Sequence, residues 1–318
     1  MQFRHLGASG LVVSAIGLGT NNLGMKLDAA GSREVVHAAL DAGITLFDTA
    51  DSYGSAEERL GELLAGHRDD VVLATKFGSD VRPRGLDNGE DWGARGSRRY
   101  IRRAVESSLT RLRTDWIDLY QMHRPDRGTP IEETLSALDD LVREGKVRYL
   151  GSSNFAAWQV ADAEWTARTR GLTRFVSAQN EYNLINHDAE AELLPALARY
   201  GIGLLPFYPL ASGILTGKYR RHEAVPVDSR LAVWGGADRL TGALFDVIEG
   251  LESFAAAHGV TVTDVAIGTL LARAEVSSVI AGATSAAQVE ANVRGGAWSP
   301  TPEQLAELDS ITGPDRLP

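Results

Sequence analysis

Short apolar runs alternate with amphipathic stretches along most of this chain. The runs lie at residues 15–19, 44–47, 71–75, 117–121, 147–151, 175–179, 202–206 and 276–280. They are mostly apolar at successive positions and partly β-branched, the pattern of strands buried on both faces. Between them, near 32–42, 56–65, 97–112, 131–143, 155–168, 189–200 and 241–258, apolar residues recur at helical spacing, and 262–273 follows as one more helix. Strands separated by helices in this way predict a parallel sheet joined by crossovers. Residues 2–16 behave differently: polar and apolar positions alternate around Gly7-Ala8-Ser9-Gly10, which predicts a short hairpin. Ser32 and Ser97 are predicted to cap helix N-termini, and Gly43, Gly145, Gly201 and Gly259 fall where helices should end.

Such a sheet is either open or closed. An open dinucleotide-binding sheet carries its phosphate loop after the first strand, as G-x-G-x-x-G. Here that place reads Gly17-Leu18-Gly19-Thr20-Asn21-Asn22, without the third glycine. Eight successive β/α units in this length match instead a (β/α)8 TIM barrel, preceded by the β-hairpin. No linker, low-complexity tract or shift of composition divides residues 1–318, so one domain is expected. Long connections at 78–96 and 219–240 are expected on the C-terminal face.

Composition narrows the class without altering the fold. With 44% apolar and 23% charged residues the chain reads as globular. Its net charge of −10 argues against nucleic acid and anionic membrane surfaces as partners. The lack of cysteine excludes disulfides, thiolate catalysis and thiolate-bound zinc. The seven histidines include no pair at metal-ligand spacing, so no metal is expected. The N-terminal MQFRHLGASG has no signal-peptide core, and Pro206, Pro209 and several glycines break the longest uncharged stretch, 201–217. No membrane span is expected, and a cytoplasmic location is the default.

Polar residues at the strand ends carry the functional signal. In chain order they are Asp48, Lys76, His123, Ser152 to Asn154, Gln179-Asn180, Phe207-Tyr208 and Gly282 to Ser285. A parallel barrel brings these onto one face, where such enzymes place their chemistry. Singly, Asp48 reads equally well as a turn cap, Tyr53 as a rim aromatic and His123 as a turn residue. Lys76, following the run Val71-Val72-Leu73-Ala74-Thr75, needs a counter-charge, and Asp48 is the natural partner. Together the four describe a proton-transfer site. A lysine cation beside a phenol favours phenolate and is expected to lower the Tyr53 pKa from about 10. Asp48 holds the lysine, and a neutral His123 orients a substrate oxygen. The result is a general acid aimed at an oxygen on which negative charge develops. No G-x-S-x-G elbow offers serine hydrolysis, and a Schiff-base reaction at Lys76 is the main enzymatic rival.

The stretches that carry this site resemble a known family, the aldo-keto reductases. They are GLGTNNLG (17–24), FDTADSYG (47–54), ATKFG (74–78), YQMHRPD (120–126), GSSNF (151–155), QNEYN (179–183), PFYPLASGILTGKY (206–219) and GATSAAQVEAN (282–292), in order over nearly the whole chain. The branch resembled is the bacterial one that also holds potassium-channel β-subunits and short-chain aldehyde reductases. The resemblance implies a TIM barrel that reversibly reduces an aldehyde or ketone with NAD(P)H, and it maps the family's catalytic tetrad onto Asp48, Tyr53, Lys76 and His123. It places Ser153, Asn154 and Gln179 on the nicotinamide carboxamide and stacks Phe207 on the ring. The segment Leu210 to Lys218, with Pro209 before it and Gly213 within it, corresponds to a loop over the pyrophosphate. Gly19, Thr20, Asn21 and Asp48 belong to the same cofactor set, and Gly282, Thr284, Ser285, Gln288 and Asn292 correspond to its phosphate- and adenine-binding segment.

Two departures from the family bear on the cofactor. Ala291 stands where the family usually has an acidic adenine contact. Gly282, Thr284, Ser285 and Gln288 are uncharged where many NADPH-preferring members set a lysine or arginine against the 2′-phosphate. A helix N-terminus at 285–288, and Arg230 in the covering loop, remain as phosphate contacts. The resemblance favours NADP(H), with NAD(H) as the alternative. Trp92 and Trp234, together with Tyr53 and His123, are the expected substrate contacts, and Arg84, Arg95 and Arg124 suit anionic or sugar-like compounds. The expected partner is a small carbonyl or alcohol substrate, with no oligomeric state indicated. Within the family, the functional alternative is a nicotinamide-binding regulatory subunit with vestigial activity.

Overall fold

The computed structural model describes residues 1–79, 94–227 and 229–313, without the side chain of Trp234. Strands β1 (Phe3–His5) and β2 (Val12–Ser14) form the antiparallel hairpin. Eight further strands follow: β3 (Ile16–Gly19), β4 (Leu46–Asp48), β5 (Val72–Phe77), β6 (Ile117–Met122), β7 (Val147–Ser153), β8 (Phe175–Gln179), β9 (Gly203–Leu204) and β10 (Val279–Gly282). They make one parallel sheet in the order β10-β3-β4-β5-β6-β7-β8-β9. The ring closes just ahead of β10. There Leu204 bridges Val276 in parallel, its amide donating to Glu275 (2.7 Å) and its carbonyl accepting from Ser277 (2.9 Å). The fold is the expected (β/α)8 barrel with an N-terminal hairpin.

Strand alternation decides what fills the barrel. Leu46, Ala74 and Leu119 point inward and meet Leu205 and Ile280, with Leu6 and Val13 of the hairpin against them. Their neighbours Phe47, Leu73 and Tyr120 point outward into the larger core between sheet and helices. Two residues beyond the inward set the same strands present Asp48, Lys76 and Gln121. Gly151 on β7 leaves room for this layer, since a Cβ there would lie 3.0 Å from Gln121 Cγ and 2.4 Å from Ser177 Oγ.

The hairpin lies across the N-terminal end of the barrel. Ala8 donates its amide to Gly201 O (2.8 Å), and Arg4 donates to Leu271 O (2.8 Å) and Val276 O (3.0 Å). Gly7 sits at φ +57°, where a Cβ would come within 2.6 Å of Gly201 O and Gly203 N. Only glycine fits that approach.

Helix ends follow their caps, with one correction. Ser97 accepts from Tyr100 N as predicted (3.3 Å), and Gly43, Gly145, Gly201 and Gly259 take positive φ at helix ends. Ser32, however, is not a cap. Its helix is Ala29–Asp41, capped by Asp28, whose carboxylate accepts from Gly31 N (2.8 Å). Asp28 is an equally good cap placed earlier, and Ala29-Ala30 continues as helix, so buried Ser32 donates instead to Asp28 O (2.6 Å). The helix expected at 189–200 breaks at Glu192 into Asp188–Ala191 and Leu193–Tyr200. A last helix, Pro302–Thr312, was not anticipated, although Thr301 and Gln304 form its capping box with proline at the first turn. Among the described residues no single helix is long and apolar enough to cross a membrane.

Candidate active site

The C-terminal mouth brings the four strand-end groups together. Fully buried Lys76 donates to Asp48 Oδ2 at 2.5 Å and to Thr49 O at 2.9 Å. Register explains the contact: Asp48 pairs with Ala74, which sets Lys76 one pleat further along the adjacent strand. The other oxygen, Asp48 Oδ1, accepts from Gln121 Nε2 (3.0 Å) and Gln179 Nε2 (2.9 Å). Lys76 Nζ also lies 5.1 Å from the Tyr53 ring centroid, close enough for each charge state to act on the other. The rings of Tyr53 and His123 meet edge to face, 5.8 Å apart between centroids.

Tyr53 is carried by a tight turn between β4 and helix Ala56–Leu63. Its amide donates to Ala50 O and its carbonyl accepts from Ala56 N, both at 3.1 Å. Backbone packs on backbone here. A Cβ on Gly24 would lie 1.8 Å from Tyr53 O, and one on Gly54 (φ +59°) would lie 2.6 Å from Gly24 O. The glycines at 24 and 54 therefore hold the tyrosine against the barrel mouth.

The electrostatics assign a charge state to each group. Burial works to lower the Lys76 pKa, but Asp48 and then Tyr53 outweigh it, and the net direction is upward. Lys76 is an ammonium. His123 is pushed down to about 3 by burial, then by Lys76 and Arg124, so its imidazole is neutral as expected. Tyr53 corrects the expectation. Burial raises its pKa; Lys76 opposes that, Asp48 and Tyr208 add to it, and the phenol ends above its ordinary value. Enclosure wins over the lysine, and Tyr53 is a neutral hydroxyl with a proton to give.

The cofactor candidates line the same mouth and the barrel rim beside it. Asn154 adopts φ +60° and donates to Ser153 Oγ and to His123 O, both at 3.0 Å. Gln179 gives its amide nitrogen to Asp48 rather than outward. Phe207 is half-buried, edge to face with Tyr208 at 5.1 Å. Around buried Pro209 and half-buried Leu210 the backbone is strained: Tyr208, Ala211 and Ser212 take φ of +53°, +47° and +60°. Three left-handed non-glycine residues in five positions are costly and cluster at ligand clamps. Gly213 continues the bend at φ +92°, where a Cβ would lie 2.6 Å from Lys218 Nζ.

Elsewhere on the rim, Thr20 at the end of β3 donates its amide and hydroxyl to Asp48 O (3.0 and 2.9 Å). Gly19 pairs with Asp48 and with Gly282 across the sheet, and Asn21 opens the short helix Asn21–Met25. Asn292 is buried and points its amide at Gly282 O (3.5 Å). Gln288 closes back on Thr284, and Ser285 caps helix Ala286–Gly295. Arg230 lies over the Tyr208 ring at 4.9 Å and donates to its hydroxyl at 3.3 Å. Trp234 ends helix Arg230–Trp234. Trp92 and Arg84 lie outside the described residues. The polar strand ends, the half-covered aromatic and the strained glycine loop suit an extended dinucleotide.

Three further residues belong to the site and were missed in the sequence. Gln121 supports Asp48 as described. Glu57, buried on the next helix, accepts from Thr75 Oγ1 and Arg111 Nε, both at 2.6 Å, and braces β5 from behind. Asp51 is buried with neither carboxylate oxygen partnered among the described residues, and burial, then Glu57, raises its pKa well above the usual range. Gln121 had a signal, standing two residues before His123 on an inward-facing strand. Glu57 had none.

Comparison with known proteins follows the same line. The sequence profile of the Aldo/keto reductase family matches residues 15–312. A probable voltage-gated potassium channel subunit beta of Oryza sativa subsp. japonica is 35% identical over 330 residues, covering 98% of this chain and 96% of its own length. An L-glyceraldehyde 3-phosphate reductase of Escherichia coli is 36% identical over 310 residues, 92% of this chain and 87% of that one. An uncharacterized oxidoreductase, YrpG, of Bacillus subtilis is 42% identical over 234 residues, 70% of this chain and 71% of its own.

Proposed function

This chain belongs to the aldo/keto reductase family, and on that premise we propose that it reversibly reduces an aldehyde or ketone to an alcohol. The observation that carries the reading is the buried Lys76–Asp48 pair set against Tyr53, with Lys76 Nζ 5.1 Å from its ring centroid. A reduced nicotinamide dinucleotide, when bound, supplies the hydride that forms the new C–H bond and is itself oxidised. Everything else falls to the chain. As the carbonyl π electrons move onto oxygen, Tyr53 gives that oxygen its proton and becomes phenolate. Lys76 stabilises the phenolate, and Asp48 keeps Lys76 charged and aimed. Neutral His123 offers a ring N–H to the substrate oxygen, orienting it without competing for the proton.

Binding divides along the chain. Ser153, Asn154 and the free amide oxygen of Gln179 take the carboxamide, and Phe207 covers the ring. Gly213 and Lys218 follow the pyrophosphate, and the segment from Gly282 to Asn292 holds the adenosine end. Because Lys76 is held as an ammonium, it lacks the free amine a Schiff base needs. The named relatives supply a panel and a rival. L-glyceraldehyde 3-phosphate and neutral aldehydes are offered with NADH and NADPH, and loss of reduced-nicotinamide absorbance is followed. Carbonyl-dependent oxidation supports the reading. Tight dinucleotide binding without turnover on any carbonyl compound points instead to a regulatory subunit; the rice relative is named a probable voltage-gated potassium channel subunit beta.

A further inference from the structure

In the turn that enters helix Ala286–Gly295, assigned above to the adenosine end, three amides already have partners. Thr284 N donates to Gln288 Oε1 (2.8 Å), and Gln288 N donates to Ser285 Oγ (3.4 Å). Ala286 N donates to Glu34 Oε1 (3.0 Å), across a sequence separation of 252 residues. Glu34 lies on helix Ala29–Asp41, which packs beside helix Ala286–Gly295. Its side chain is exposed and forms no ion pair among the described residues. A carboxylate there is favoured by the positive end of the helix, and it fills the place a phosphate would need.

No compensating cation stands at Gly282, Thr284, Ser285 or Gln288. Arg230, the cation expected to serve this end, packs on Tyr208. Arg33, next to Glu34, projects about 100° away round its helix.

We propose that Glu34 makes this chain select NAD(H) over NADP(H), by accepting the adenosine 2′-hydroxyl and repelling a 2′-phosphate. This rests on the nicotinamide-dependent reading above and reverses the preference expected from the resemblance. A 2′-phosphate brings between about one and two negative charges at neutral pH and would have to displace Glu34 from Ala286 N. A ribose hydroxyl brings no charge and donates to the carboxylate as it stands.

Equilibrium titration with NADH and NADPH, followed by nicotinamide fluorescence, reads the selection without turnover. The wild-type protein, Glu34→Gln and Glu34→Arg are compared, with thermal melts confirming that these exposed substitutions leave the fold intact. The wild-type protein should bind NADH roughly tenfold or more tightly than NADPH. Glu34→Gln should narrow that ratio, chiefly through tighter NADPH, and Glu34→Arg should invert it. Equal or tighter NADPH binding by the wild type, or a ratio unmoved in Glu34→Gln, overturns the proposal. If neither dinucleotide binds, the reductase reading itself falls.

Discussion

Two layers of the barrel lumen, one pleat apart, are made by the same strands and do opposite things. In the lower layer Leu46, Ala74 and Leu119 meet Leu205 and Ile280 and stabilise the fold by leaving water. In the upper layer Asp48, Lys76 and Gln121 leave water just as completely. There burial opposes folding, and the groups are held by one another: an ion pair, two amide donors and a backbone carbonyl. Replacing such a buried pair with apolar residues is often neutral or stabilising, so stability does not account for it. Its account lies in what the pair does to Tyr53.

That contrast can be broken in graded ways. Lys76→Met should do the most damage, lowering turnover by about three orders of magnitude or more. It should also cost about 3–5 kcal/mol, because Asp48 keeps a buried charge without its cation. Steady-state kinetics and denaturant melts read both effects. Leu119→Ala should match that stability loss, at about 2–5 kcal/mol, while the folded enzyme keeps kcat within a few-fold. Loss of turnover in fully folded Leu119→Ala would erase the distinction between the layers. Gln121→Leu lies between them: one donor to Asp48 goes, at about 1.5–3 kcal/mol, and kcat falls roughly tenfold.

The last effect, which leaves stability at neutral pH untouched, is a pH dependence. The folded pKa of His123, about 3, lies below its ordinary 6.5, so the unfolded chain binds the proton first. Stability from this group is complete above that ordinary value and declines as pH falls from it toward the folded one. The slope is at most about 1.4 kcal/mol per pH unit. Wild type should therefore lose stability faster than His123→Gln between about pH 6 and pH 3. Parallel melting curves across that window would mean that His123 is not held neutral by its surroundings.

How far these layers could be read from the chain depended on direction. Along a strand the reading was good: Asp48, Lys76 and His123 each end an apolar run, and a period of two puts them on the lumen side. Across strands it was partial, finding the Asp48–Lys76 pair but not what supports it. Gln121 reaches Asp48 through pairing of β5 with β6, Lys76 opposite Gln121, and no single strand shows that register. Glu57 acts from the helix behind Thr75. Glu34 meets Ala286 only because the ring closes and brings the first and last helical layers together. The Tyr53 pKa was misjudged for a related reason. Its lysine neighbour was visible in the motif, but the depth of its enclosure was set by several elements at once.

The central claim is that Tyr53 supplies the proton. Single-turnover mixing of Tyr53→Phe with bound reduced dinucleotide and an aldehyde tests it most directly, with dinucleotide affinity and thermal stability measured on the same sample. The predicted result is hydride transfer slowed by about two to four orders of magnitude, with affinity and stability nearly unchanged. Transfer at the wild-type rate in the phenylalanine variant would contradict it.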